Sequence, residues 1–164
     1  MCIRDSAIAD LNQAVLIDPK SANPLRVRGN YYRDQNDFDH ALENYNQAIS
    51  LNPKSAMAYA SRGEAYRSYD EDDRAIADFD QAIKLEPKFV SAFVGRGLAQ
   101  ENKNDYTRAI ADFTQAIKVD PKNVTAYDER ASAYEHTGAH DRALADIAQA
   151  IKLDPQNPDA HRLQ

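Results

Sequence analysis

The chain of 164 residues carries 26 acidic against 20 basic side chains, for a net charge of −6, with one cysteine and no tryptophan. That balance argues against a phosphate backbone or an anionic membrane as the main partner, and one cysteine excludes an internal disulfide framework. No run of about 18 apolar residues is present to span a bilayer, and Met1-Cys2-Ile3-Arg4-Asp5-Ser6 lacks the basic start and apolar core of a secretory signal, so the compartment stays open.

Taken in order, the chain opens with six residues that do not fit the pattern of the others. Ile3 and Arg4 stand where later segments place a turn, so residues 1–6 are read as an irregular start foreign to the rest. From Ala7 a period takes over. Pro19, Pro53, Pro87, Pro121 and Pro155 are each 34 residues apart, and the segment Ala7 to Pro19 returns at Ala41 to Pro53, Ala75 to Pro87, Ala109 to Pro121 and Ala143 to Pro155. Such self-similarity marks a repeat array. It divides the chain into a half unit at 7–21, units at 22–55, 56–89, 90–123 and 124–157, and a stub at 158–164.

Each unit holds two helical patterns. Tyr59, Arg62, Gly63 and Tyr66 fall at i, i+3, i+4 and i+7, and Ala75, Ile76, Phe79, Ala82 and Ile83 make a second stripe. Polar stretches such as Gln35-Asn36-Asp37 and Lys103-Asn104-Asp105 separate them, with Asp37 and Asp105 suited to N-capping. The proline closes the second helix, because it lacks an N–H and disfavours the α region for the residue before it. Gly29, Gly63, Gly97 and Ala131 leave room for close approach, and Tyr45, Phe79 and Phe113 fill the space beside them. A hairpin of this size cannot bury its apolar face alone, so neighbours must stack.

On these residues the chain resembles the tetratricopeptide repeat family. The pattern of that family matches Tyr59, Arg62-Gly63, Tyr66, Ala75, Phe79, Ala82 and Pro87 in one unit, with counterparts in the others. The resemblance implies an all-α fold, a right-handed superhelical solenoid of antiparallel hairpins, with a concave groove that binds extended peptides or protein surfaces; from the residues themselves no enzymatic role or cofactor is expected. Where the family usually has Leu before the glycine, this chain has Arg28, Arg62, Arg96 and Arg130, and its second helices carry Asp10, Asn44, Asp78, Asp112 and Asp146. These are expected to form a structural ladder, each arginine bonding the acid of the preceding unit, the alternative being an arginine row that binds a ligand.

The resemblance also places the groove on the first helix of each unit. Carried over, that face holds Asn23, Arg26, Asn30 and Arg33, then Met57, Ala60, Glu64 and Arg67, then Ser91, Val94, Leu98 and Glu101, then Thr125, Asp128, Ser132 and Glu135. It is expected to be basic around Arg26 and Arg33, apolar at Val94 and Leu98, and acidic from Asp128 and Glu129 to Glu135. The family's carboxylate clamp is only half represented, by Arg26 and Asn30, because Ser61, Ser91 and Gly95 stand at its other positions.

No catalytic or metal constellation is evident. His40, His136, His140 and His161 lie in or near turns or at the chain end, Cys2 lies in the irregular start, and phosphate-loop, nucleophile-elbow and zinc-protease motifs are missing. The expected function is a protein or peptide scaffold. The uncapped ends are read either as the edges of a fragment of a longer array or as surfaces through which a structural segment associates head to tail, and a further alternative, against the acidic balance, is a helical-repeat RNA binder.

Overall fold

The 34-residue period becomes an alternation of helices. The computed structural model describes residues 3–155, with side chains from Ile8 onward. Its elements are α1 (Ile3–Ile17), α2 (Ala22–Asp34), α3 (Phe38–Leu51), α4 (Ala56–Ser68), α5 (Asp72–Leu85), α6 (Val90–Asn102), α7 (Tyr106–Val119), α8 (Val124–His136) and α9 (His140–Leu153), with no strand among the described residues. The protein is therefore all-α. Helix α1 begins at Ile3, within the segment expected to be irregular. Cys2, His161 and the stub at 158–164 lie outside the described residues.

The turns explain where the helices stop. After each first helix one residue takes a left-handed conformation, at Asn36, Asp70, Asn104 and Gly138, with φ of 58°, 59°, 61° and 74°. Asn, Asp and Gly tolerate that region best. The next amide then reaches back five residues, from Asp37 to Tyr32 O, Glu71 to Tyr66 O, Asp105 to Gln100 O and Ala139 to Tyr134 O, each at 2.9 Å. This satisfies a carbonyl that the helix end leaves open. Asp37 and Asp105 then cap α3 and α7, accepting from His40 N at 3.3 Å and Arg108 N at 3.2 Å. At the proline turns the preceding side chain holds the chain in place. Asp18, Asn52 and Asp120 accept from the backbone N–H of Lys20, Lys54 and Lys122 at 3.3, 3.1 and 3.0 Å.

The helices form two compact units, Met1–Glu86 and Pro87–Gln164. In the first, Tyr45 is buried with Ala41 and Ala65 beside Tyr32 and Phe38, and Leu25, Ala48 and Ala58 form a second cluster with Val15 and Ile49. In the second, Phe113 packs with Ala109 and Ala133, and Ile147 with Ala131 and Ala143. The cores are built from alanines around a few large side chains, which lets the helix axes come close.

The arginines bond differently from the expectation. Each pairs within its own hairpin, not with the acid of the preceding one. Arg62 donates Nε and Nη2 to Asp78 at 2.7 Å each, Arg96 to Asp112 at 2.8 and 2.6 Å, and Arg130 to Asp146 at 2.7 Å each. Arg28 meets the neutral Asn44 at 2.7 Å. The third donor, Nη1, reaches back to the helix before: Arg28 to Asn12 at 3.0 Å, Arg62 to Asn46 at 2.6 Å and Arg130 to Thr114 at 3.0 Å. The acceptor there is two residues beyond the acid that had been expected. Asp10 accordingly stands outside the ladder and is exposed. The planar fork of arginine makes this possible, since two N–H groups match one carboxylate and a third remains to point elsewhere.

Candidate functional site

In the Met1–Glu86 unit, the first helices α2 and α4 supply the predicted binding face. Asn23 is exposed, and Arg26 donates Nη2 to its Oδ1 at 2.9 Å. Beside them Ala22, Asn52, Ser55 and the exposed Met57 help line a cleft of about 230 Å³. The rest of the face is more committed than the sequence suggests. Asn30 accepts the Tyr45 hydroxyl at 2.9 Å, and burial pushes that phenol up to about 12 despite the opposing field of Arg33. Ala60 is buried, so it serves the packing. Arg33 donates Nη2 to Asp34 at 2.9 Å, and Arg67 donates Nη2 to Glu64 at 3.0 Å. Local acids therefore temper the basic character of Arg33 and Arg67, while Arg26 bonds the neutral Asn23.

In the Pro87–Gln164 unit, Val94 and Leu98 were expected to offer an open apolar surface. They are only half exposed, because they pack against the cluster of Ala109, Phe113 and Ala133. Ser91 and Thr125 are exposed, while Glu101, Asp128 and Ser132 are half-buried. Ser132 gives its carbonyl to His136 Nδ1 at 2.9 Å, and Glu135 meets His140 Nδ1 at 2.9 Å. His136 also stacks on Tyr106, with centroids 4.5 Å apart. These contacts give both histidines a place in the turn and its rim. Among the described residues no cluster of three or more His, Cys, Asp or Glu is arranged to hold a metal.

Glu101 is strongly perturbed on this face. Its Oε1 is shielded from solvent with no hydrogen-bond partner among the described residues. Burial, and then the nearby charge of Glu129, push its carboxyl from 4.5 up to about 7. An acid whose value rises on folding stabilises the fold below its ordinary value, and that contribution is lost as pH rises toward 7. After discounting for partial exposure, the ionised form costs this unit on the order of 1 kcal/mol at pH 8. Glu101→Gln should therefore leave the urea midpoint nearly unchanged at pH 4.5 and raise it at pH 8. An equal midpoint shift at both pH values would refute the assignment. The proximity of Glu129 was not marked in sequence, because 28 residues separate the two and fall out of step with the repeat.

Comparisons with known proteins agree with the repeat fold. A profile described as "Tetratricopeptide repeat" matches residues 73–113 and 94–158, a second of that description matches 56–89, and one described as "TPR repeat" matches 29–68. No curated protein matches the sequence. Among solved structures, MamA is similar at 27% identity, covering 93% of this chain and 90% of its own, with a TM-score of 0.81. A thermophilic TPR protein of Thermus thermophilus shares the fold at 21% identity, with 98% and 88% covered and a TM-score of 0.84. The OM64 TPR domain of Arabidopsis is 28% identical over 71% of this chain and 96% of its own, with a TM-score of 0.68.

Proposed function

Because this chain belongs to the tetratricopeptide repeat family, whose fold generally serves protein–protein interaction, we propose that it is a non-catalytic scaffold that binds extended protein segments on its first-helix faces. The observation that carries this reading is the opposite character of corresponding surfaces. The α2 and α4 face offers Arg26 beside an open cleft, and the α6 and α8 face offers a desolvated Glu101 with an unsatisfied oxygen, accompanied by Asp128 and Glu135. A segment with acids suits the first, and one with lysine or arginine next to an apolar residue suits the second. Such complementarity steers encounter and selects partners more than it adds affinity. No described helix is long and apolar enough to cross a membrane.

A peptide array that varies charge and apolar content tests the proposal. Acidic peptides retained by the protein should weaken by about tenfold with Arg26→Glu, and basic ones by about tenfold with Asp128→Lys, the scale of one lost charge pair. Retention that ignores peptide charge, or survives both substitutions, would overturn it.

A further inference from the structure

We propose that the cleft on the α2 and α4 face is a socket for one carboxylate side chain of the bound segment, an Asp or Glu within the peptide and not its terminus, with an apolar neighbour laid against Met57. This rests on the reading of that face as a binding surface and goes further, to the group that the cleft selects. Both walls come from complete hairpins: Ala22, Asn23 and Arg26 from α2, and Asn52, Ser55 and Met57 from the turn before α4 and its first residues. At about 230 Å³ the space is of side-chain size.

The chemistry of the lining is one-sided. Asn23 must turn Oδ1 toward Arg26, which donates Nη2 to it at 2.9 Å, and Asn52 must turn Oδ1 toward the backbone N–H of Lys54 at 3.1 Å. Ser55 Oγ accepts from Ala58 N at 3.2 Å, the carbonyl of Asn52 accepts from Ser55 N, and that of Ser55 accepts from Ala58 N and Tyr59 N. These acceptors are thus engaged, while both Nδ2 groups, the Ser55 hydroxyl hydrogen, and Nε and Nη1 of Arg26 donate to nothing among the described residues. Donors gathered around one cation call for an acceptor-only anion. A carboxylate brings one charge to one guanidinium, whereas a phosphate dianion would leave a charge uncompensated. A glutamine of the same shape would set its own N–H groups against the donors of the cleft.

The repeat shows that this lining is particular to one place. The residue before the proline is Asp18, Glu86, Asp120 and Asp154 in the other turns and the neutral Asn52 here, and the position of Arg26 is held by Ala60, Val94 and Asp128 elsewhere. In the Pro87–Gln164 unit the corresponding positions therefore carry Val94 and Asp120, a pair that repels an anion. Met57 corresponds to the polar Asn23, Ser91 and Thr125, and its thioether stands 51% exposed as an apolar lip. Neither α2 nor α4 has an acid in its first turn. Asn30 lies outside the lining and holds the Tyr45 hydroxyl instead, so the socket differs from a clamp on a peptide terminus.

A peptide with blocked ends, alanines around a central Glu-Leu pair, serves as the probe, titrated into the isotope-labelled full chain and followed by NMR. The side-chain amide signals of Asn23 and Asn52 should shift saturably, with binding about tenfold weaker for a Gln-Leu peptide and for Arg26→Gln or Asn52→Asp. Asn52→Asp leaves the turn intact, since Asp18 and Asp120 make the same backbone bond, so its loss of binding reports the charge in the cleft. No saturable shift, equal affinity for the Glu and Gln peptides, or tighter binding of a phosphoserine peptide overturns the proposal. Failure of the socket is distinct from failure of the face. If array peptides still choose by charge through Arg26 while Asn52→Asp binds them unchanged, the face stands and the socket falls.

Discussion

Replacing Arg130 by methionine should lower the stability of the Pro87–Gln164 unit by about 3 kcal/mol, read as a fall in urea midpoint with an unchanged slope. Methionine fills a similar space, so the loss is one of charge and hydrogen bonding. Arg130 holds both oxygens of Asp146 at 2.7 Å, and the two side chains are only 15% and 9% exposed. Its guanidinium also lies over Tyr127 and Tyr134 at 5.8 and 5.9 Å. Without it Asp146 remains as a buried carboxylate whose partner is gone, which costs far more than the intact pair contributes. Two controls sharpen the expectation. Arg74→Met breaks an ion pair with Glu71 in which the arginine is 64% exposed, and should cost under about 0.5 kcal/mol. Arg28→Met strands the neutral Asn44, which still donates to His40 O at 2.7 Å, and should cost about 1 kcal/mol. Arg130→Met combined with Asp146→Leu should recover most of the loss. Equal midpoints for Arg130→Met and Arg74→Met would sink the ladder as a stabilising device.

The ladder also marks the limit of what the sequence discloses. A repeat states which residues recur and, through the helical period, which side of a helix they share, so the all-α fold, the capping aspartates and the glycine positions were legible. It does not state which way a long side chain leans. Arg62 could in principle reach an acid on either neighbouring helix, and the outcome depends on the angle at which the helices cross, information that no spacing holds. The structure divides the fork, with two donors to Asp78 and one to Asn46. The candidate binding faces show the same limit. The family resemblance assigned Ala60, Val94 and Leu98 to the binding face, yet neighbouring helices bury Ala60 and half cover the other two. The pairing of Arg67 with Glu64 could have been read directly, since residues three apart on a helix are neighbours, whereas that of adjacent Arg33 and Asp34 could not.

A methyl group added at Gly97 should destabilise by about 2 kcal/mol, although the same change on an open helix surface stabilises by about 1 kcal/mol. A Cβ there would stand 2.6 Å from Phe113 Cε1 and 2.8 Å from its Cζ, and that ring is fully buried. Gly29→Ala meets Tyr45 Cε1 at the same 2.6 Å, and the Tyr45 hydroxyl is further anchored on Asn30. Gly63 differs. Its added carbon would lie 3.1 Å from Phe79 Cε1 and 3.3 Å from Ala75 O, so a small adjustment suffices and the helix-propensity gain should leave Gly63→Ala near neutral. The fourth hairpin shows the compensated arrangement, with Ala131 in the glycine position and Ile147, not an aromatic ring, packed with it. Gly97→Ala combined with Phe113→Ile should therefore recover much of what Gly97→Ala loses, a coupling that a double-mutant cycle in urea reads directly. If Gly97→Ala raised the midpoint, Phe113 would have to move aside at little cost. The pairing of small residue with ring would then reflect helix spacing alone.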